Sequence, residues 1–260
     1  MAKLKDIAVI IPMNDFSEEN VKLFNEAVAS VPSDIKVYVS YCISTDPSAK
    51  LDKRAKHIGS AQGDSFQELV NEAVGKIKEK WFSILEFDDS YTNIWFDEVL
   101  RYVEFMPEVS MFLPLEDITD FNNGKYIGYG NEAPLASSFS DELGFIDNPS
   151  LMNYFDFYPT GSVFNTDDWN EVGGLKPSMK ITFWYEWMLR ATHNGKKLYV
   201  IPKVGYNHTM GRKGSLVEQY KATVDEKETM WWFDNAKKEQ FFREDRGKTY
   251  QKDDNSEEVE

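Results

Sequence analysis

Three acids that follow one apolar run, Glu86, Asp88 and Asp89, are the residues of this chain best suited to chemistry. The run, Trp81-Phe82-Ser83-Ile84-Leu85, reads as a strand continuing to Phe87. Residues two apart on an extended chain point the same way, so Glu86 and Asp88 are expected on one face, with Asp89 opening the next loop. Carboxylates gathered at a strand end can hold a hard divalent cation, which neutralises charge developing on a phosphate leaving group. The same residues admit a plainer role, in which Asp88-Asp89-Ser90 turns the chain and caps the next helix. His208 follows Tyr206-Asn207 and offers an imidazole of a kind that manganese accepts. Arg212 and Lys213, between Gly211 and Gly214, form a basic loop able to fold over a diphosphate or to remain solvated.

The elements that must position these groups alternate. Ile7 to Ile11 is a continuous apolar run stopped by Pro12, as in a buried parallel strand. Ser17, Glu18 and Glu19 start a helix whose buried face holds Val21, Phe24, Ala27 and Val28. A strand over 35–39 follows. The next helix, capped by Asp64 or Ser65, buries Phe66, Leu69, Val70, Ala73 and Ile77. After the strand over 81–87 come a helix over 93–106 and a strand over 109–113. Such alternation is the mark of a doubly wound sheet, whose ligands sit at the carboxyl ends of the strands. Residues 116–160 read as loops with short strands, one of them over 125–129. Order returns with a strand over 161–164, a helix over 181–193 ended by Asn194-Gly195, and a strand over 198–201 stopped by Pro202. A helical stretch over 215–243 and an acidic tail, 251–260, complete the chain.

At 260 residues, 42% hydrophobic and 15% aromatic, the chain can bury one large core. With 29 Lys plus Arg against 44 Asp plus Glu, its net charge of −15 repels phosphate backbones, so a nucleic-acid partner is not expected. A single cysteine, Cys42, permits no internal disulfide and fits a reducing compartment. The apolar run near the N-terminus is too short for a signal peptide or a membrane span. A cytoplasmic location is therefore expected, in a host cytoplasm or a virus particle if the chain is viral.

Four stretches in order, over residues 5–210, resemble GT-A glycosyltransferases of the family-2 type, in the manner of a phage-encoded or degenerate member. They are Ile7 to Asn14, Asn71 in its helix, Ser83 to Asp89, and an acceptor-side half. That half comprises Gly161 to Phe164, Val172-Gly173-Gly174-Leu175, the helix with Arg190, and Gly195 to Pro202. The resemblance implies a GT-A-like doubly wound mixed α/β sheet flanked by helices, with a C-terminal helical extension. It divides the chain into 1–212 (a nucleotide-binding half, 1–115, and an acceptor-side half, 116–212), an extension over 213–250, and the tail. It further implies a nucleotide-sugar donor, an acceptor, and Mn2+ or Mg2+ held by Asp88, Asp89 and His208. Donor contacts would come from Pro12, Asn14, Tyr41, Asp46, Asn71 and Arg212.

The sequence departs from the family in two places. The acidic head of the nucleotide-binding segment is missing from Tyr41-Cys42-Ile43-Ser44-Thr45-Asp46, where Tyr41 could stack on a base instead. Phe183 and Trp184 stand where relatives carry the acids that deprotonate the acceptor hydroxyl. Glu186 is the expected base in their place. Two functions follow from these residues. One is a metal-dependent sugar transferase. The other is a retired GT-A fold serving as a binding or structural component, for instance of a virus particle, with Met230-Trp231-Trp232-Phe233 of the extension docking a protein partner. A nucleotidyltransferase is disfavoured, because no Gly-rich basic phosphate loop follows the first strand.

Overall fold

The computed structural model describes residues 2–47, 50–61 and 63–246. The first half of the chain contains β1 (Ile7–Pro12), α1 (Glu18–Ala29), β2 (Lys36–Cys42), β3 (Ala55–Ser60), α2 (Phe66–Lys76), β4 (Trp81–Ile84), β5 (Ser90–Tyr91), α3 (Trp95–Phe105) and β6 (Val109–Asp120). The second half contains β7 (Tyr126–Gly130), β8 (Phe145–Ile146), α4 (Asn148–Asn153), β9 (Val163–Asn165), α5 (Thr166–Val172), α6 (Phe183–His193) and β10 (Lys197–Met210). Two further helices, α7 (Leu216–Thr223) and α8 (Glu226–Arg246), close the described chain.

The strands form one mixed sheet in the order β3-β2-β1-β4-β9-β6-β10-β5, with β7 on β6 and β8 on β10. β3, β2, β1 and β4 run parallel to one another, and β6 and β10 form a second parallel pair. β9 runs antiparallel between β4 and β6 and joins the two parallel halves. Successive residues of a strand face opposite sides, and β1 shows the consequence. Ala8 and Ile10 pack into the layer that includes Val70 and Ala73 of α2 and Leu189 of α6. Ile7, Val9 and Ile11 pack with Phe24 of α1 and Val99 of α3. Burial on both faces explains the uninterrupted apolar run.

Helix starts fall where their caps require. Ser17 accepts from the Asn20 amide, and Ser65 with Glu68 forms a reciprocal capping box at α2. Differences from the sequence reading have local causes. The strand β3 went unforeseen, because Ala-Lys-His-Ile-Gly-Ser has no β-branched run. Strand pairing in β4 ends at Ile84, so residues 86–89 form a turn and not a continued strand. Pro202 does not stop β10. It lies in an irregular stretch between Val200 and Val204, where the register with β6 shifts and a missing N–H leaves no gap in the ladder. The helical stretch after Ser215 is broken between α7 and α8. The acidic tail lies outside the described residues.

The segment from α5 to α6 is knit by one polar network. Arg190 pairs in two-pronged fashion with Glu186 (Nε–Oε1 and Nη2–Oε2, both 3.0 Å). It also donates to the carbonyls of Val172, Gly173 and Gly174. Lys176 Nζ lies 2.9 Å from Glu186 Oε1. Asn71 clamps the same loop from α2, donating to Leu175 O and accepting from Leu175 N. Gly173 has φ +88, a conformation that suits glycine. A Cβ on Gly174 would stand 2.2 Å from Asn71 Oδ1. Removing one partner of a buried pair leaves the other charge uncompensated. Arg190→Ala is accordingly expected to lower unfolding free energy by about 3–5 kcal/mol in urea denaturation, and a loss within error of zero would show that the loop is held otherwise.

Candidate functional site

The carboxylates lie on the turn between β4 and β5, at the carboxyl end of a parallel strand. Gly161 donates to Ile84 O, and the Glu86 amide donates to the Tyr206 hydroxyl, which ties the turn to β10. Gly161 has φ +76, and a Cβ there would meet the Tyr206 ring at 2.4 Å, so this close approach demands glycine. The turn alters the expected orientation. Asp89, foreseen as opening a loop, is 5% exposed.

β10 brings the partners of these acids. His208 Nδ1 lies 2.9 Å from Asp89 Oδ2. Thr209 gives Asp89 Oδ1 its amide at 2.7 Å and its hydroxyl at 3.0 Å. The Thr209 hydroxyl also reaches Asp88 O at 2.9 Å. Arg212, just past the strand, donates through Nε to Asp88 Oδ2, and its guanidinium lies 4.6 Å from the centre of the Phe87 ring. Tyr158 packs its ring 5.6 Å from that of His208.

One further acid belongs to this group. Glu116, on β6 opposite Tyr206 of β10, is fully buried, and neither carboxylate oxygen has a hydrogen-bond partner. Burial pushes its carboxyl well above the usual range, with His208 opposing and Asp89 and Glu86 reinforcing. Burial and the charge of Asp89 likewise push Glu86 up to about 8. Asp88 is also raised, by burial and by Asp89, against the pull of Arg212. Burial works against a charged His208, yet the hydrogen bond and charge of Asp89 hold its imidazole up to about 10. Sequence reasoning missed Glu116 because the strand was expected to end at Leu113. The signal was present in the acids Glu116 and Asp117, which directly follow an apolar run.

The donor-side residues occupy the neighbouring strand ends. Pro12 closes β1 and is buried. Asn14 bridges two elements, donating to Asp64 O at 2.6 Å and accepting from Cys42 N at 2.7 Å. Tyr41, at the end of β2, stands edge-on between Phe16 and His57, 5.9 and 5.8 Å away. Asp46 is exposed in the following loop. Asn71 is not with them, since its amide is committed to Leu175. Glu186, the expected base, has no exposed side-chain surface and is held by Arg190 and Lys176. An acceptor hydroxyl cannot reach it in this arrangement. Trp184 stacks on Phe164, with centroids 5.7 Å apart.

No protein-family model matches the chain, and no curated protein matches it in sequence. Solved structures do. The chain is similar to S. aureus TarS 1-349 in complex with UDP-GlcNAc, with a TM-score of 0.57 and 16% identity over 81% of this chain and 60% of that one. It is similar to the same protein with UDP, at TM-score 0.57 and 16% identity over 91% of this chain and 71% of that one. It is also similar to the mannosyltransferase PcManGT from Pyrobaculum calidifontis in complex with GDP-Man and Mn2+, at TM-score 0.55 and 13% identity, covering 80% and 58%. The chain therefore spans about three fifths of the TarS 1-349 chain, and 43% of the longer TarS chain. The likeness establishes the fold, a mixed α/β sheet of GT-A glycosyltransferase type flanked by helices.

The donor set does not fit a divalent ion as it stands. Asp89 has both oxygens engaged by His208 and Thr209, and Asp88 is paired with Arg212. Among the described residues, no three His, Cys, Asp or Glu side chains are drawn together as metal donors. The expected ligands Asp88, Asp89 and His208 instead form, together with Arg212, two acid–base pairs.

A raised carboxyl pKa means that the fold favours the protonated form. Its contribution to stability is full below the unfolded pKa and is lost as pH rises towards the folded one. Glu116→Gln removes that loss. The melting temperature of the variant relative to the parent is expected to climb between pH 5 and pH 8 in thermal denaturation, whereas a constant difference would mean that Glu116 is ionised throughout.

Proposed function

We propose that this chain binds a nucleotide-activated sugar at the carboxyl ends of β1, β2 and β4 and transfers the sugar to an acceptor hydroxyl. One observation carries this reading. In a fold of glycosyltransferase type, two acids from β4 and two bases from the end of β10 converge where an open α/β sheet binds ligands. Tyr41, beside Phe16 and His57, is the surface for the nucleobase. Asn14 fixes the spacing of that subsite by joining the ends of β1 and β2. Pro12 and Asp46 border it.

In-line attack on the anomeric carbon requires a base on the acceptor side. With Glu186 enclosed, we assign this role to Asp156. It is exposed, and Tyr158, two residues on, packs against His208. Asn131 pins this segment to β6 by bonding both Pro114 and Tyr158.

The enclosure of Glu186 favours a second reading, in which the fold binds its ligand without transferring sugar. In that case the extension is a natural docking element. Phe233 packs on Phe155 and Tyr185, while Met230 and Trp231 remain about half exposed.

Calorimetric titration with UDP and GDP tests the donor site. Stacking of a base on an aromatic side chain is worth about 1–3 kcal/mol, so Tyr41→Ala is expected to weaken binding by about fivefold or more. The absence of binding by every nucleoside diphosphate would reject the donor site. Binding without hydrolysis or transfer of any sugar nucleotide, unchanged in Asp156→Asn, would leave the second reading.

A further inference from the structure

We propose that Arg212 takes the place of a divalent cation in this site, so that the chain meets a donor's diphosphate with its own guanidinium and needs no metal to do so. The inference rests on the donor-site reading above and specifies its chemistry.

The pairing is the first argument. Two carboxylates facing a divalent ion make a neutral set. Here Asp88 is paired with Arg212 and Asp89 with His208, so both carboxylates already have side-chain partners. An added divalent ion would have to displace these partners or leave excess positive charge in a sheltered site, where Coulomb energies are large. Asp89 is the less available of the two acids, because its carboxylate also accepts the amide and hydroxyl of Thr209.

The geometry of Arg212 is the second argument. Only Nε is used on Asp88, and the N–H groups of both terminal nitrogens have no protein partner among the described residues. A guanidinium presents those N–H groups as a planar fork that matches two phosphate oxygens. The side chain is 13% exposed, so it is held against the protein while its edge remains open. Phe87 supports its face and Asp88 fixes its rotation, which leaves little side-chain entropy to lose on binding.

The backbone supplies the third argument. Arg212 is carried between Gly211 and Gly214, at φ +83 and +82. The start of this loop is tied down, since Asn122 donates to Gly211 O at 3.2 Å and Phe121 donates to Met210 O at 2.8 Å. The guanidinium is thus placed by a fixed anchor at the end of β10, against the turn after β4, the strand that pairs with β1. A structural ion pair alone would explain the bond to Asp88, but not the open terminal nitrogens at this position.

The test is calorimetric titration of the full chain with UDP and GDP, once in EDTA and once with Mn2+. Mn2+ binding to the chain alone is followed in parallel by electron paramagnetic resonance. Nucleotide affinity is expected to agree within about twofold in the two buffers, and the resonance of free Mn2+ should persist on adding protein. Arg212→Ala should weaken binding at least tenfold in EDTA, with Arg212→Lys intermediate and circular dichroism showing both variants folded at the titration temperature. Binding that requires Mn2+, or that is unchanged in Arg212→Ala, would overturn the substitution of guanidinium for metal while keeping the donor site. Failure to bind in either buffer would overturn both.

Discussion

Asp89 meets His208 and Thr209 only because β10 extends for 14 residues alongside β6. Its first residues belong to the core, where Leu198, Val200 and Ile201 are fully buried. Its last residues belong to the site. Between them the chain must cross Pro202 without losing its direction, and the shifted register from Val200 to Val204 absorbs the missing N–H. Gly205 is packed so closely that a Cβ would stand 2.3 Å from the Trp95 ring. Trp95 in turn donates its indole N–H to Gly161 O, which holds the turn under Tyr206. The acids of one half of the sheet and the bases of the other are therefore brought together by strand pairing, not by the loops that carry them.

How much of this was legible in the sequence depended on whether the signal was local. Ser17 and Ser65 announced their helices, because a cap is read from a few adjacent residues. The run from Ile7 to Ile11 announced a strand buried on both faces, and the alternation of elements announced the mixed α/β class. Asp88, Asp89, His208 and Arg212 stand out in the sequence by residue type, and the structure draws their side chains together. Their partnership was not legible, since the pairs span more than a hundred residues and depend on the register of β10. The strand β3 and the length of β6 were missed because tertiary pairing, not propensity, makes them strands.

Glu116 shows a cost that packing alone would not retain. A buried carboxyl without a hydrogen bond is destabilising by the desolvation of its polar atoms, about 1–3 kcal/mol. An apolar side chain of similar size would fit β6 without that loss. The Glu116 carboxyl interacts electrostatically with Glu86, Asp89 and His208, and it is retained among them although it has no hydrogen-bond partner of its own. Such conflicts between local stability and the fold are expected at functional sites more than elsewhere.

The two sides of the site differ in how their residues are employed. On the donor side, Asn14, Tyr41 and Arg212 lie at strand ends with polar edges or ring surface directed away from the core. On the acceptor side, Asn71, Glu186, Arg190 and Trp184 are consumed by packing around Gly173 and Gly174. On the reading proposed above, recognition of a nucleotide draws on the first group, whereas abstraction of a proton from an acceptor falls to Asp156, which lies outside the second. The two capacities therefore have separate structural foundations. Loss of the acceptor chemistry would leave the donor subsite intact, and nucleotide affinity can be present in this fold whether or not sugar is transferred.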